Sequence, residues 1–557
     1  MHVPLTPVTL LERSARAFPE ATAVIHSQGN LSFRTLLLRC RKLMQALASL
    51  QVKHGDCVAV LATNGHYTVE AHFGVPGTGA VLVMLNPWLA EADVVDLIEF
   101  SEAKVLIADA ALYQKMSQTS REHLQQKLHV MLIPEHGKAV PTQCLDYEQC
   151  LDREKGDISL EQSVVSENDP IAINFTSGTT GRPKGVIYSH RAGYLHALGQ
   201  VMMFGLTRQS RYLWTLPMFH VNGWGHMWAC VAIGCPQIIP TSHLDQEHTA
   251  EFEKLVREHG VTHLAGAPRL IKVMIEIPES KNILDGIAMM TGGAAPAPLL
   301  IQQLEQRGVT LIHQYGLSET CGPFVVCEPQ DDWALLDAET RASFRARQGV
   351  PSLHAGSGLQ VRDENGSSVP HDGRSLGEIV MSGNTLALGY FKNLEATAKA
   401  FRDGWFYSGD MAVVHSDGSL EIRDRIKDLI YVETPYGWEN ISSIDIENAL
   451  CRHSAIQDAA VLSVAHPDEV SNRPLLVAFI ELRPEARMVK AEFHDYCAEK
   501  LSTYQRPEVV LFESLPKTNT GKVRKELLHR QVRQRWADEI ALRQCGAPPA
   551  DDLVFSM

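Results

Sequence analysis

The 557-residue sequence contains no run of 18 apolar residues, so it predicts no membrane-spanning helix. Its N-terminus lacks a cationic stretch followed by an apolar core, so no secretory signal peptide is expected. Its eleven cysteines are scattered without a C-x-x-C pair, which predicts reduced thiols rather than a disulfide framework or a metal cluster. The final letters FSM are not a peroxisomal address, and we expect a cytoplasmic protein.

Positive charge is scarce as well. The sequence has 51 lysines and arginines against 65 aspartates and glutamates, which gives a formal net charge of −14. This balance argues against a nucleic-acid partner and against binding to anionic membranes. It still allows one local basic pocket that holds a phosphorylated small molecule.

Short apolar runs alternate with amphipathic segments along most of the chain. Strands are predicted at 56–62, 103–109 and 171–175, and helices and strands alternate from 250 to 316. Such alternation predicts parallel or mixed sheets that are covered by helices.

A chain of this length exceeds the size at which one hydrophobic core stops growing, so two or more domains are expected. We predict an α/β fold with a large N-terminal domain, 1–424, and a small mobile α+β C-terminal domain, 425–540. The boundary is placed near the segment SLEIRDRIKD, because the pieces after it have the size of an ordinary small domain. Residues 541–557 are expected to form a loose tail.

One short segment, FTSGTTGRPKGV at 175–186, concentrates small residues, hydroxyl groups and cations directly after a predicted strand. Its glycines permit a close backbone approach, and backbone N–H groups of such a loop form anion-binding nests. Lys184 adds a point charge, so the loop suits a polyphosphate. It is not a Walker A motif, because Pro183 stands where that pattern needs glycine. A flexible turn is the alternative, which the ordered pattern TSGTTG-x-PKG disfavours.

This loop resembles the phosphate loop of the adenylate-forming, or AMP-binding, superfamily. Further matches follow in the family's order: TGGAAPAP from Thr291, HQYGLSET from His313, GEIVMSGNTLALGYF from Gly377, GWFYSGD from Gly404, RDRIKDLI from Arg423 and PKTNTGKVRK from Pro516. Because the matches span most of the chain, the sequence is identified as a member of this superfamily, of the acyl-CoA synthetase type. The resemblance implies that a carboxylate attacks the α-phosphate of ATP and that the thiol of coenzyme A then displaces AMP.

The resemblance also implies which residues bind the phosphates of ATP. The loop would grip the β- and γ-phosphates through Thr176, Ser177, Gly178, Thr179, Thr180, Gly181 and Lys184. Glu319, with help from Thr176, would hold Mg²⁺, since hard oxygen ligands suit that ion. Ser318, where the family usually has threonine, keeps a hydroxyl group for a contact with the α-phosphate.

The adenosine residues follow from the same resemblance. Tyr315 would stack on adenine, and the other residues implied around the base are Gly293, Ala294, Gln314 and Gly316. Asp410 would accept hydrogen bonds from both ribose hydroxyls, and Arg425 would add a second ribose contact. Without their motifs, Tyr315 would be interpreted as a core residue and Asp410 as a turn residue.

Two lysines complete the implied catalytic set with Glu319. Lys522 would reach the acyl carboxylate and the α-phosphate, where it stabilises charge in the adenylation transition state. Lys427 lies where the family hinges, since the small domain rotates between the two half-reactions. Read alone, Lys522 is one lysine of a basic turn.

The segment after this hinge departs from the family pattern. Relatives commonly have four residues at this point, whereas this chain has YVETPYGW at 431–438. Gly437 and Trp438 replace the glycine pair that normally lines the coenzyme A tunnel. One hypothesis is that this loop weakens adenylation and leaves an enzyme that acts on a preformed acyl-adenylate. The alternative is a tolerated surface insertion.

The segment at 216–234, LPMFHVNGWGHMWACVAIG, resembles the acyl pocket of fatty and related acyl-CoA synthetases. His220 would lie near the carboxylate and Trp224 near the mouth of the acyl tunnel, with Gly266 and Gly292 as further pocket residues. The segment has no acidic residue to pair with an amine, so an apolar acid is favoured over an amino acid. A cyclic or aromatic acid is also compatible.

Other functions stay open on the sequence alone. One is an adenylation enzyme that loads a separate carrier protein, and another is a non-catalytic sensor of acyl groups or nucleotides. The joint presence of Lys522, Glu319 and Asp410 argues against the sensor. A homodimer is also compatible with the sequence.

Overall fold

The computed structural model describes residues 3–135, 137–161, 163–176, 183–241, 244, 248–279, 282–356, 358–428, 430–434, 437–465, 474–518 and 522–544. By their contacts the residues form two compact units. The first comprises Met1–Leu359 and Met381–Phe406, and the second comprises Gln360–Val380 and Tyr407–Met557. The domain boundary expected between residues 424 and 425 stays a prediction.

The strands alternate with helices in chain order. The strands are β1 (Thr22–His26), β2 (Gly29–Ser32), β3 (Cys57–Leu61), β4 (Val81–Met84), β5 (Val105–Asp109), β6 (His129–Ile133), β7 (Leu145–Asp146), β8 (Pro170–Thr176), β9 (Lys184–Ser189), β10 (Tyr212–Leu213), β11 (Gln237–Ile238), β12 (His263–Gly266), β13 (Ala288–Thr291), β14 (Thr310–Leu317), β15 (Gly322–Val326), β16 (Val350–Pro351), β17 (Leu359–Arg362), β18 (Gly377–Met381), β19 (Gly389–Tyr390), β20 (Phe401–Arg402), β21 (Trp405–Val414), β22 (Leu420–Arg425), β23 (Ile430–Thr434), β24 (Gly437–Ile441), β25 (Ile456–Ala465), β26 (Pro474–Leu482) and β27 (Val509–Phe512).

The helices are α1 (Val8–Ala17), α2 (Phe33–Ser49), α3 (His66–Gly77), α4 (Glu91–Ser101), α5 (Ala110–Lys115), α6 (Gln118–Lys127), α7 (Tyr147–Asp152), α8 (His190–Met203), α9 (Val221–Trp224), α10 (His226–Ile233), α11 (Thr249–His259), α12 (Pro268–Glu276), α13 (Pro298–Glu305), α14 (Ala338–Arg345), α15 (Leu394–Ala400), α16 (Ser443–Leu450), α17 (Lys490–Lys500) and α18 (Lys525–Gln544). None of the described helices is both long enough and apolar enough to cross a bilayer. No disulfide joins the cysteines that the structure describes.

Two large sheets organise the first unit. One has the strand order β19-β9-β8-β4-β3-β5-β6-β7, and the other has the order β16-β15-β14-β13-β12-β10-β11-β1-β2. In the first sheet β3, β4, β5 and β8 pair in parallel, and in the second β12, β13 and β14 do the same. Every residue of β3 and β4 is buried, as expected of parallel strands that are covered on both faces.

The predicted alternation of strands and helices is confirmed. The runs expected to be strands at 56–62, 103–109 and 171–175 correspond to β3, β5 and β8. The region from 250 to 316 folds as α11-β12-α12-β13-α13-β14, in the order that the apolar periodicity predicts. The α/β fold class is therefore confirmed.

The second unit combines a short sheet, a hairpin and a small α+β layer. β21 pairs with β22 and stands next to β18, while β23 and β24 form a two-stranded hairpin. β25, β26 and β27 form a three-stranded sheet. Apolar residues of α16 and α17 cover one face of that sheet, and Leu528, Val532 and Trp536 of α18 pack on the other.

Candidate functional site

A cleft of the first unit lies where β12, β13 and β14 end. Parallel strands place their carboxyl ends at one edge, where α/β proteins commonly bind ligands. The cleft encloses about 420 Å³, part of which is open to solvent. Its walls are formed by Leu216, Val221, Ala265, Gly266, Ala267, Met290, Gly292, Gly293, Gln314, Gly316, Leu317, Gly322 and Pro323. The structure thus brings together residues predicted for the acyl group and residues predicted for adenine.

Two glycines of this cleft are required by close approaches of the backbone. A Cβ on Gly292 would lie 2.9 Å from the carbonyl oxygen of Gln314, and one on Gly316 would lie 2.1 Å from that of Gly322. Neither position therefore has room for a side chain. The wall that results is bare backbone, against which a flat ring can lie closely.

Two buried polar groups at this edge of the sheet lack partners among the described residues. Gln314 is 8% exposed and Thr291 is 1% exposed, and neither the Gln314 Oε1 nor the Thr291 Oγ1 atom has a hydrogen-bond partner. Buried polar atoms are normally paired, so such atoms mark a place where a ligand or water completes the bonding. Tyr315, on the same strand, is 9% exposed, whereas Ala294 is exposed.

The flanks of the predicted phosphate loop form an antiparallel pair. β8 and β9 run against each other with Thr176 opposite Lys184, and Ser177, Gly178, Thr179, Thr180 and Gly181 lie outside the described residues. The Lys184 Nζ atom stands 4.7 Å from the ring centroid of Tyr390, a cation–π distance. Lys184 is therefore held at the end of β9 by a ring on β19.

The same tyrosine connects Lys184 to Glu319. The Tyr390 hydroxyl donates to Glu319 Oε1 at 2.7 Å, and the backbone N–H of Ala387 donates to the Glu319 carbonyl oxygen at 2.8 Å. Burial, followed by the Glu319 charge, raises the pKa of Tyr390, so its hydroxyl stays protonated as a donor. Sequence reasoning did not single out Tyr390, although it lies in the matched segment that ends in LGYF.

The predicted acyl segment is anchored by Asn64. Its amide nitrogen donates to the Leu216 carbonyl oxygen and its amide oxygen accepts from the Met218 N–H, both at 2.8 Å. Burial lowers the pKa of His220 to about 4, so its ring is neutral near pH 7. A neutral ring can accept or donate a hydrogen bond, as the role predicted for His220 requires.

Trp224 is completely buried rather than placed on the wall of the cleft. Its ring packs 4.6 Å from that of Tyr188 and 4.4 Å from that of Trp228, measured between centroids. Its indole N–H has no partner among the described residues. The Trp224 ring is therefore part of a buried aromatic cluster with Tyr188 and Trp228.

The second unit brings Asp410 and Arg425 together. The two residues are direct cross-strand partners on β21 and β22, and Arg425 Nε lies 3.2 Å from Asp410 Oδ1. Asp410 is 4% exposed, while the Arg425 side chain keeps 37% of its surface exposed. The turn before Asp410 is fixed by Glu378, whose carboxylate accepts the Gly409 N–H at 2.9 Å.

The remaining predicted residues also lie in the second unit. Lys522 is exposed at the end of a short hairpin, and Lys427 lies in a single 3₁₀ turn, Ile426–Asp428. Gly437 and Trp438 begin β24, where they pair with Thr434 and Glu433 of β23. The side chains of Lys427 and Trp438 fall outside the described part of the chain.

Comparison with known families matches both parts of the chain. Residues 11–391 match the AMP-binding enzyme family, and residues 445–522 match the AMP-binding enzyme C-terminal domain. The first match alone covers more than half of the chain.

Curated relatives and solved structures agree with this family match. The chain is 36% identical over 547 residues to a peroxisomal trans-cinnamate:CoA ligase of Petunia hybrida, with 94% of this chain and 93% of the relative covered. It is 35% identical over 556 residues to a peroxisomal acetate/butyrate–CoA ligase of Arabidopsis thaliana, with 96% and 95% covered. The crystal structure of the anthranilate CoA ligase AuaEII with anthranoyl-AMP superposes with a TM-score of 0.82 at 24% identity, covering 97% of this chain and 99% of that one.

Proposed function

The chain belongs to the family of AMP-binding enzymes and is an adenylate-forming CoA ligase, and from that premise we propose that its acid is a compact apolar carboxylic acid. The observation that supports this proposal is the cleft at the ends of β12, β13 and β14. Its walls join the predicted acyl residues Gly266 and Gly292 to the predicted adenine residues Gly293 and Gln314. An acid and an adenosine bound in this cleft would meet where the predicted acyl residues adjoin the predicted adenine residues.

The size of the acid follows from the walls of this cleft. The acyl side carries small or apolar groups, Leu216, Val221, Ala265, Ala267 and Met290, and no charged residue. Trp224, predicted at the mouth of an acyl tunnel, is buried and does not line this cleft. The acids named for the two relatives, trans-cinnamate and acetate or butyrate, are also compact. We therefore favour short-chain or single-ring acids over long fatty acids.

The first half-reaction joins two anions, so cations must offset their repulsion. Lys184 and the phosphate loop would take the β- and γ-phosphates of ATP, and Lys522 would stabilise the charge that develops between the acyl carboxylate and the α-phosphate. Glu319 offers a carboxylate, and Thr176 a hydroxyl oxygen, to Mg²⁺, which typically uses one or two carboxylates together with substrate phosphates. When bound, Mg²⁺ would neutralise phosphate charge.

The ribose would be held by the ion pair of the second unit. The nearly buried Asp410 carboxylate presents acceptors for two hydroxyls, and its contact with Arg425 orients it. Ser318, half-buried in the 3₁₀ turn that carries Glu319, would donate its hydroxyl to the α-phosphate. Tyr315 and Ala294 complete the adenine site in this proposal.

The second half-reaction transfers the acyl group to coenzyme A. Lys427 would act as the hinge, and Gly437 and Trp438 would line the path of the thiol. β23 and β24 pair without a break from Ile430 opposite Ile441 to Thr434 opposite Gly437. Six of the eight residues at 431–438 thus belong to paired strands, which favours a tolerated insertion over a defect in adenylation.

The test is a panel of acids assayed for two products in parallel. Pyrophosphate release with ATP and the free acid reports adenylation, and AMP release that needs coenzyme A reports the complete reaction. We expect both signals with short-chain or single-ring acids and neither with palmitate. Pyrophosphate release absent for every acid, together with conversion of a supplied acyl-adenylate, would instead favour the ligase that performs thioester formation only.

Several expectations remain predictions. A carrier-protein substrate would give pyrophosphate release without AMP release by coenzyme A, and a sensor would give neither signal while binding ATP. The cytoplasmic location and the homodimer are further proposals, which cell fractionation and sedimentation would examine.

A further inference from the structure

Lys522 lies on a short hairpin, which here means the antiparallel residues 516–518 and 522–524, joined by backbone hydrogen bonds. The Thr518 N–H donates to the Lys522 carbonyl oxygen at 2.8 Å, and the Lys522 N–H donates to Thr518 Oγ1 at 3.1 Å. The Arg524 N–H donates to the Pro516 carbonyl oxygen at 2.8 Å. These bonds define the hairpin, but its position depends on what anchors its two ends.

Lys525 anchors one end. It begins α18, three residues after Lys522, and its Nζ atom lies 2.5 Å from Ser443 Oγ and 2.8 Å from Glu447 Oε1. Ser443 in turn donates its backbone N–H and its hydroxyl to Asp424 Oδ2, at 2.9 and 2.6 Å. One ammonium group therefore ties the Lys522 hairpin to the start of α16 and, through Ser443, to the end of β22.

Asp424 stands at a position that matters for the proposed chemistry. It is 4% exposed, and its other carboxylate oxygen, Oδ1, accepts the backbone N–H of Arg425 at 2.9 Å. Arg425 pairs with Asp410, and Lys427 follows two residues later. The network thus connects the hairpin of Lys522 with the segment that carries the predicted ribose pair and the predicted hinge.

The other end of the hairpin is anchored differently. Lys517 Nζ lies 2.8 Å from Asp458 Oδ2 and 2.8 Å from Glu481 Oε2. These partners belong to β25 and β26, within the small three-stranded sheet. Lys517 therefore fixes the hairpin to the sheet, whereas Lys525 fixes it to the residues around the hinge.

The charges around Lys525 keep this link ionic. Burial lowers the pKa of Lys525, but the facing Glu447 and Asp424 carboxylates outweigh it, and the net shift is upward. Asp428 adds a third negative charge to this set. Removing the ammonium would leave buried carboxylates without their cation, which is strongly unfavourable. Arginine at the same place would retain the charge.

We propose that Lys525 is a positioning residue for adenylation, which holds the Lys522 hairpin against Ser443, Glu447 and the Asp424 end of β22. This inference rests on the proposed function, because it assumes that Lys522 acts in the adenylation transition state. Displacing a reacting group by about 1 Å costs up to about 100-fold in rate. In the proposed mechanism Lys522 acts in adenylation and not in thioester formation, so thioester formation would not depend on this anchor.

The test measures the two half-reactions separately in the full-length enzyme. Pyrophosphate release with ATP and butyrate or cinnamate, whichever the wild type turns over faster, reports adenylation. Consumption of the corresponding supplied acyl-adenylate with coenzyme A reports thioester formation. Lys525→Met is expected to lower adenylation by about 10- to 100-fold, with thioester formation changed less than threefold. Lys525→Arg is expected to recover most of the loss, and Lys500→Met, at an exposed pair with Glu499, serves as the matched control.

A double substitution separates positioning from a general loss of structure. If Lys525 acts through Lys522, adding Lys525→Met to Lys522→Met lowers adenylation no further than Lys522→Met alone. The inference would be overturned if the losses of the two single substitutions multiplied in the double variant. Equal losses in both half-reactions, or wild-type adenylation in Lys525→Met, would also overturn it. Should thermal melting show that Lys525→Met does not fold, Asp424→Asn tests the same link with an unchanged side-chain shape. Wild-type adenylation in Lys522→Met would instead refute the role of Lys522 in the proposed function.

Discussion

The two units differ in the polar groups that they bury. The first unit holds imidazoles whose pKa burial lowers, so they are neutral near pH 7; they are His26, His66, His72, His190, His196, His220, His226, His263, His313 and His354. The second unit holds opposite charges in contact, as at Asp410 with Arg425, and at Lys525 with Glu447. The first unit also buries Glu70 against Arg39, on α3 and α2, but neither residue belongs to the cleft.

This difference shows where charge serves chemistry and where it serves structure. In the first unit the cleft walls carry no ionised side chain, and the two charged residues of the proposed phosphate site, Lys184 and Glu319, both contact Tyr390. Charge in a poorly solvated site interacts strongly with a charged substrate. In the second unit the paired charges locate backbone segments, and Lys522 is the exposed cation at the end of such a segment.

The largest expected effect comes from removing the negative charge of Glu319 in the first unit. Glu319→Gln keeps the shape and an acceptor for Tyr390 but removes the proposed Mg²⁺ ligand. We expect adenylation to fall by about 10²–10³-fold, the usual cost of losing a preorganised electrostatic group. Pyrophosphate release at saturating ATP and Mg²⁺ measures it. Adenylation within threefold of wild type would contradict the proposed metal site.

Acidification is expected to destabilise the first unit before the second. The lowered pKa of each buried histidine means that the unfolded chain takes up protons first, so stability present above pH 6.5 is lost as pH falls towards 4. For His72, His226 and His313, whose pKa falls to about 4, this amounts to up to about 3 kcal/mol each. In the second unit burial raises the pKa of Asp424 and Glu447. These two groups therefore contribute more to folding stability, rather than less, as the pH falls.

Hydrogen exchange followed by mass spectrometry measures this separation segment by segment. We expect amides of β10 to β14 to lose protection between pH 6.5 and 4 before those of β25 and β26 do, after correction for intrinsic exchange rates. With His226→Gln, amide protection in the first unit is expected to fall less steeply as the pH is lowered, and protection in the second unit is expected to stay unchanged. Earlier exchange in β25 and β26 would show that the comparison between the units is wrong.

A smaller effect is expected at the ion pair of the second unit. Asp410→Asn leaves Arg425 without its carboxylate and gives the ribose a weaker acceptor. A hydrogen bond to a charged group contributes about 1.5–3 kcal/mol, which corresponds to roughly 10- to 150-fold in kcat/KM for ATP. Initial rates at varied ATP give this value. Arg425→Lys, which keeps the charge, should lose less, and an unchanged kcat/KM for ATP in Asp410→Asn would exclude the ribose role.

The smallest effect is expected at Tyr390, which joins the two charges of the first unit. Tyr390→Phe removes the hydroxyl that donates to Glu319 and keeps the ring beside Lys184. One hydrogen bond contributes about 0.5–1.5 kcal/mol net, so adenylation should fall by roughly 2- to 12-fold. Tyr390→Leu removes both contacts and should cost more. Equal rates for the two variants would mean that the ring does not support Lys184.

The sequence predicted the elements of the site better than the contacts between them. Apolar periodicity located β8, β12, β13 and β14, because a strand buried on both faces must be apolar throughout. It could not find the bond from Tyr390 to Glu319, since these residues lie 71 positions apart and on different elements. The Lys525 network was missed for the same reason, because Ser443 and Lys525 are 82 positions apart.

Trp224 illustrates what a motif leaves undecided. The segment around it predicted a position at the mouth of an acyl tunnel, whereas in the structure the ring is buried against Tyr188 and Trp228. A motif specifies which residue stands at a position, but the free volume beside that residue depends on side chains from other helices and strands.

The order of residues along the chain by itself determined the α/β alternation, because the periodicity of apolar residues depends on near neighbours. Only the tertiary structure decided that the acyl and adenine residues share one cleft, that Tyr390 joins Lys184 to Glu319, and that Lys525 anchors the hairpin of Lys522. Those contacts join residues far apart in sequence, and they form only when sheets and helices pack closely enough to exclude water.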